Sequence, residues 1–215
     1  PTEDRLEADL ERLEAEGIPG SATRPSGERV GLLRSSPDAG DAYARHLIDD
    51  VLEGRRLSGL TVAIDCAHGA ASEVAPRVLA ELGASVVVIN AEPDGTNIND
   101  RSGSTHPEAL QAVVLSRGAD VGLAFDGDAD RVLAVDATGE LVDGDQLIAL
   151  LAIDLRDRGR LHHDAVAVTV MTNLGFRQAM DARGIRVVET PVGDRHVLAA
   201  LAAEGLALGG EQSGH

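Results

Sequence analysis

The chain has 215 residues, enough for one large domain or two of ordinary size and for a sizeable buried core. Its formal net charge of −17, with all 19 basic residues arginine, argues against binding to nucleic acid or to an anionic membrane surface, which calls for basic patches. A single cysteine excludes an intrachain disulfide framework, and no apolar run approaches the length that spans a bilayer.

Aromatic residues make up 1% of the chain, so the core must be built from Ala, Val, Leu and Ile. The N-terminus is acidic and amphipathic rather than basic then apolar, so no secretory signal is read there, and a soluble cytoplasmic protein is expected. An anionic substrate would need a metal and a few well-placed arginines to overcome the general field.

In chain order, residues 2–16 place Leu6, Leu10 and Leu13 at helical spacing among charges, the pattern of a surface helix with one apolar stripe. Residues 17–29, rich in Gly, Pro and Ser, break it. A second helix is expected from about Asp41 to Glu53, with Tyr43, Leu47 and Val51 on one face. The rhythm then changes. Leu60–Asp65 reads as a buried strand, Ala71–Leu82 as a helix capped by Gly83, and Ser85–Asn90 as a strand. Pro107–Ser116 reads as a helix and Asp120–Phe125 as a third strand. Arg131–Asp136 follows after too short a connection for a crossover, so it should run antiparallel to the third strand.

After Thr138-Gly139 the pattern restarts. Helices are expected at Asp145–Arg158, Leu174–Arg183 and Asp194–Glu204, and strands at Ala165–Val170 and Ile185–Thr190, with another strand starting at Leu206–Leu208. Alternation of this kind implies two consecutive α/β/α sandwich domains with mixed, mainly parallel sheets. The chain stops after a Gly-rich loop, which reads as a truncated domain.

The most informative stretch is Asp126-Gly127-Asp128-Ala129-Asp130-Arg131. Three carboxylates at alternate positions repel one another, and a hard divalent cation removes that repulsion through oxygen ligands. An EF-hand loop fails on spacing: its Gly and Glu positions hold Arg131 and Ala137. A dehalogenase-type phosphatase would use Asp126 as nucleophile and Asp128 as acid/base, and would want Thr or Val at Asp130. A plain acidic turn is the remaining alternative. Other polar loops also fall at carboxyl ends of expected strands, where α/β sheets collect ligands: 65–69, 90–106, 190–195 and 209–215. Cys66 reads as a small buried residue, and His162 and His163 as part of a solvated loop.

Two of these segments carry a resemblance. Asp126–Arg131 resembles the metal loop of the α-D-phosphohexomutases, and Gly210-Glu211-Gln212-Ser213-Gly214-His215 resembles their sugar-recognition loop, in the right order and at the right distance. Asp65–Ala70, Pro93–Asn99, Gly103–Glu108 and Val192–Arg195 are similar to segments of the phosphoglucosamine mutase branch. His68, Ser102 and His196 depart from that branch, which has Asn, Cys and Tyr there. The resemblance implies a phosphohexomutase-type fold divided as 1–40, a remnant of the first domain and linker; 41–138, the second domain with the metal loop; and 139–215, a truncated third domain with the sugar loop. The nucleophilic serine and the phosphate-binding fourth domain would lie outside these residues, so residues 1–215 alone should be inactive. Ser104-Thr105-His106-Pro107 superficially resembles the serine loop but sits in a different segment, so Ser104 receives no nucleophilic role.

What the family implies is interconversion of glucosamine 6-phosphate and glucosamine 1-phosphate, through a phosphoserine and a bisphosphate intermediate, on the route to cell-wall precursors. Mg²⁺ would be held by Asp126, Asp128 and Asp130. Arg131 would stabilise the moving phosphoryl charge or pair with the adjacent carboxylates. Glu211, Ser213, Gly193, Asp194 and Arg195 would bind the hexosamine phosphate, and His215 would move a proton or touch the phosphate. The same family leaves phosphoglucomutase or phosphomannomutase activity open. A non-catalytic metal- or sugar-phosphate-binding piece, self-associating through its truncated third domain, is the non-enzymatic alternative.

Overall fold

Continuous apolar runs bounded by turn residues become the strands of two sheets, and the amphipathic stretches between them become the covering helices. The computed structural model describes residues 2–16, 27, 30–32, 36 and 38–215. The chain falls into two units, Pro1–Asp38 and Ala39–His215. In the first, helix α1 (Thr2–Glu16) carries Leu6 and Leu10 exposed along the expected stripe. Most of the expected break at 17–29 lies outside the described residues.

The second unit begins with α2 (Ala39–His46), continued by a π-type turn over Leu47–Val51. It proceeds through β1 (Thr61–Asp65), α3 (Ala71–Glu81), β2 (Ser85–Ile89), α4 (Glu108–Arg117), β3 (Val121–Phe125), β4 (Val132–Asp136) and β5 (Leu141–Val142). These strands form a sheet of order β2-β1-β3-β4-β5. β1 is parallel to β2 and β3, whereas β4 returns antiparallel to β3, pairing Phe125 with Val132. Small side chains set the packing. Leu110 and Val114 of α4 cover Ala63, Ala124 and Val135 on one face, and Ala71 of α3 meets Val62 and Ile64 on the other.

A capping box then starts the next helix. Asp143 Oδ1 accepts from the Gln146 amide, and Gln146 Oε1 accepts from the Asp143 amide. Helix α5 (Gly144–Asp157) leads to β6 (Ala165–Thr169), α6 (Leu174–Ala182), β7 (Arg186–Thr190), α7 (Asp194–Glu204) and β8 (Gly209–Gly210). Their sheet runs β7-β6-β8, all parallel. Its core gathers Ile148, Val166, Val168, Phe176 and Met180.

Two sequence expectations change, and one short strand had none. The packed face of α2 and its π turn is Ala44, Leu47, Ile48 and Leu52, against Val78 of α3 and Leu82 just after it. Tyr43 and Val51, expected on that face, are 55% and 57% exposed. The small Ala44 lets the two helices approach closely, and the i→i+5 bond from Leu52 N–H to Leu47 O rotates the later residues about the axis. The last strand is Gly209–Gly210 rather than a run from Leu206. A Cβ on Gly209 would lie 2.7 Å from Val197 Cγ1 and 2.9 Å from the Ala167 carbonyl, so only glycine fits where this backbone lies against β6. β5, two residues long, has too short a pattern to read from sequence.

Candidate functional site

The acidic loop is the turn of the β3–β4 hairpin, so the antiparallel pairing fixes both its ends. Asp126 is 2% exposed and its side chain folds back on the loop. Oδ1 accepts from the Arg131 amide at 3.1 Å and Oδ2 from Arg131 Nε at 2.8 Å. Arg131 Nε also lies 3.5 Å from Asp130 Oδ1. Ala129, at φ 61°, turns the chain so that Asp128 and Asp130 emerge on the side of Asp126. One carboxylate oxygen from each of Asp126, Asp128 and Asp130 lies within 4.8 Å of the others. Hard divalent cations hold oxygens at about 2.0–2.6 Å, which puts opposite ligands about 4–5 Å apart. The all-oxygen set therefore fits such an ion, and these residues could hold one.

The charges are unevenly balanced. Burial pushes the Asp126 carboxyl up, but hydrogen bonds from Arg131 and Asp130 and the guanidinium charge outweigh it, and its pKa falls below the ordinary value. Burial, then the hydrogen bond to Asp126 and its charge, raise Asp130. The loop thus has one firmly ionised anchor and one carboxylate strained by its neighbours.

A second turn meets this loop. Glu211 N–H donates to His215 O at 2.8 Å, and Gly214 N–H donates to Glu211 O at 3.0 Å. The turn is stitched to the first sheet by Val132 N–H to Gly214 O and to α5 by Gly144 N–H to Gln212 O, both at 3.1 Å. His215 Nε2 lies 3.2 Å from Asp130 Oδ2. Glu211, 9% exposed, accepts from the Gly193 amide at 3.1 Å through Oε1, which ties the turn to the start of α7. Asp194 Oδ1 accepts from the Arg195 amide at 2.7 Å. A cavity of about 160 Å³ lies between Asp194, Glu211 and His215 on its polar side and Val197, Leu198 and Leu201 on its apolar side.

The sequence-derived residues therefore come together in two groups that touch. Asp126, Asp128, Asp130 and Arg131 form one, Gly193, Asp194, Glu211 and His215 the other, and Asp130–His215 joins them. Ser213 is half-buried within the second turn, and Arg195 is exposed on α7. Ser104 is buried in a short 3₁₀ turn over Gly103–Thr105. Cys66 is fully buried, and burial, then the charge of Asp65, push its thiol up to about 11. The sequence marked 65–69 as a polar loop at a strand end but gave Asp65 no role of its own, and it ends β1 fully buried. Among the described residues no helix is long and apolar enough to cross a membrane.

Comparison with known proteins agrees with this layout. Residues 41–139 match the description "Phosphoglucomutase/phosphomannomutase, alpha/beta/alpha domain II", and residues 143–215 match domain III of the same family. The chain is 56% identical over 213 residues to the phosphoglucosamine mutase of Streptomyces griseus, covering 99% of this chain and 46% of that relative. It is 52% identical over 212 residues to that of Symbiobacterium thermophilum, again covering 46% of the relative. The chain thus spans about half the length of the curated relatives it matches. Among solved structures, a phosphoglucomutase/phosphomannomutase family protein from Burkholderia thailandensis superposes with a TM-score of 0.72 at 27% identity, over 82% of this chain and 38% of that one. An N-acetylglucosamine-phosphate mutase shares the fold, with a TM-score of 0.65 at 22% identity over 82% of this chain and 38% of that one. With both sheets, the acidic hairpin and the Glu211 turn matched across its length, the chain belongs to the phosphoglucomutase/phosphomannomutase family.

Proposed function

We propose that these residues form the metal and sugar half of a phosphoglucosamine mutase, which interconverts glucosamine 6-phosphate and glucosamine 1-phosphate through a phosphoserine and a hexosamine bisphosphate. One observation carries the reading: three carboxylate oxygens within 4.8 Å of one another, with His215 of the Glu211 turn 3.2 Å from one of them. The relatives' names support the branch. Asp126, Asp128 and Asp130 would hold Mg²⁺, which when bound supplies Lewis-acid polarisation and charge neutralisation at phosphoryl oxygens.

The protein's own groups do the positioning. Arg131, held by Asp126, presents its remaining guanidinium donors to the phosphoryl group in transit. Glu211 and Ser213 accept from and donate to sugar hydroxyls, while Gly193, Asp194 and Arg195 bound the hexosamine phosphate from α7. His215, beside Asp130, would move a proton or touch the phosphate. The net charge of −17 leaves nucleic acid and anionic membrane surfaces as poor partners. A free, buried Cys66 suits a reducing compartment such as the cytoplasm.

The test is a coupled assay on the whole protein with glucosamine 6-phosphate, set against glucose and mannose phosphates. Preference for the amino sugar, with all turnover lost in Asp128→Asn, is the expected result. Equal turnover of the neutral sugars would place the chain in another branch. Phosphate release by residues 1–215 alone, abolished in Asp126→Asn, would replace the mutase by a hydrolase.

A further inference from the structure

The acidic loop is held from outside as well as by its own Asp126–Arg131 bonds. Its middle rests on a neighbouring loop, Cys66–Ala70, through backbone contacts that leave no space for a side chain. Ala70 N–H donates to Gly127 O at 2.8 Å. A Cβ on Gly69 would lie 2.0 Å from that same carbonyl oxygen and 2.7 Å from Gly127 Cα. The base of the acidic loop is crowded likewise: a Cβ on Gly103 would lie 2.2 Å from the Phe125 carbonyl oxygen. Above it, Asn99 N–H donates to Ala67 O at 2.9 Å.

The supporting loop is itself in an unfavourable conformation. Ala67 and His68 have φ of 52° and 50°, consecutive left-handed residues that carry a Cβ. Asp65 holds them there. It is fully buried, Oδ1 accepts from the Ala67 amide at 2.9 Å, and Oδ2 accepts from Asn90 Nδ2 at 2.9 Å. Asn90 O in turn accepts from the His68 amide at 2.6 Å. A buried carboxylate is expensive to keep without a cation beside it. Here both its oxygens are spent on holding one strained loop under another.

We propose that Gly69 and Asp65 are positioning residues for the acidic loop: Asp65 and Asn90 lock the Cys66–Ala70 loop, and Gly69 and Ala70 seat the Gly127 backbone so that the three aspartates converge. The consequence for metal affinity rests on the metal reading above, whereas the consequence for loop conformation does not.

The experiment compares wild type with Gly69→Ala, Asp65→Asn, the double variant D65N/N90D, and Val62→Ala as a control. Val62 is buried near the start of β1, so its truncation destabilises the same sheet without removing any hydrogen bond of the loops. Two readouts are taken: Mn²⁺ affinity from the EPR signal of the free ion, and hydrogen exchange of the Asp126 and Ala129 amides, which close the acidic loop. Gly69→Ala is expected to weaken Mn²⁺ binding and to speed exchange, each at least tenfold. Asp65→Asn should shift both about threefold, and D65N/N90D, which restores one carboxylate facing one amide, should return both to within twofold of wild type. Val62→Ala should leave both unchanged at its lower stability.

Wild-type affinity and exchange in Gly69→Ala would overturn the proposal, as would equal effects from Val62→Ala. If wild type takes up no Mn²⁺, the metal reading alone fails, and the exchange comparison still decides whether Gly69 seats the loop. If Gly69→Ala does not fold, absence of an effect in Asp65→Asn, or of rescue in the double variant, overturns the proposal.

Discussion

Replacing Asp128 by asparagine should move stability and metal affinity in opposite directions. Asp128 is exposed, and its carboxylate lies within 4.8 Å of those of Asp126 and Asp130. Without metal it contributes mainly repulsion, and its charge helps to raise Asp130. At this separation two unit charges in water interact by about 0.9 kcal/mol, and exposed pairs measure about 0.2–1 kcal/mol. Asp128→Asn should therefore stabilise the metal-free protein by about 0.5 kcal/mol, roughly 1–2 °C in Tm for a chain of this size. The gain should shrink at high salt, where exposed charges are screened.

With metal present the sign reverses. Second-sphere changes at metal sites already weaken binding about 10–100-fold, so loss of a direct ligand should reach about 100-fold. At a Mg²⁺ concentration 100 times the wild-type Kd, wild type gains about 2.7 kcal/mol and the variant about 0.4 kcal/mol. In a thermal melt this is a rise of about 5–11 °C against about 1–2 °C. Melts with EDTA and with Mg²⁺ should thus cross: the variant melts higher without metal and lower with it. Equal Mg²⁺ shifts in both proteins, or a variant less stable in EDTA, would refute the reasoning about the triad.

Other outcomes follow from the same structure. Cys66, with its thiol pushed up to about 11, should resist iodoacetamide at pH 8 in the folded protein and react once unfolded. Its neutral form is favoured by folding, so stability should be unaffected below the ordinary thiol pKa of 9.0 and fall by up to about 3 kcal/mol as pH rises from there through 11; urea titrations at pH 8 and 10.5 check the sign. Asp143→Ala removes the acceptor for the Gln146 amide and should lower stability by about 1 kcal/mol, read from a urea midpoint at unchanged m-value. Residues 1–215 by themselves carry Leu150 and Leu151 at 61% and 52% exposure on α5, and sedimentation should show concentration-dependent self-association that Leu151→Glu reduces.

Much of this architecture was legible because the chemistry is local. Thr61–Asp65 and Val121–Phe125 are apolar runs too short for helices and bounded by polar loops, and the brief gap before Val132 permits only an antiparallel return. Asp126, Asp128 and Asp130 stood out because three like charges in five residues have few uses. What stayed hidden depends on distant partners. Whether Tyr43 or Ala44 faces the core depends on how closely α3 approaches, which no periodicity records. Gly209–Gly210 reads as loop until the nearness of Ala167 shows why side chains are missing there. Asp65 looks like a strand-ending turn residue, and only burial and its two bonds reveal a support for the neighbouring loops.

The contacts between the two sheets bear on how such a site could move. Val132 belongs to the hairpin that carries the acidic loop, and its amide is bonded to Gly214 of the Glu211 turn. Gly144, the first residue of α5, is bonded to Gln212 of the same turn, and His215 reaches Asp130. Shearing the acidic loop past the Glu211 turn would break the Val132–Gly214 backbone bond and the Asp130–His215 contact, while Gly144 keeps the turn on α5. The carboxylate triad and the Glu211 turn are therefore joined by one backbone bond and one ion pair. A ligand lodged between the two loops would therefore meet walls held together by a backbone bond and an ion pair.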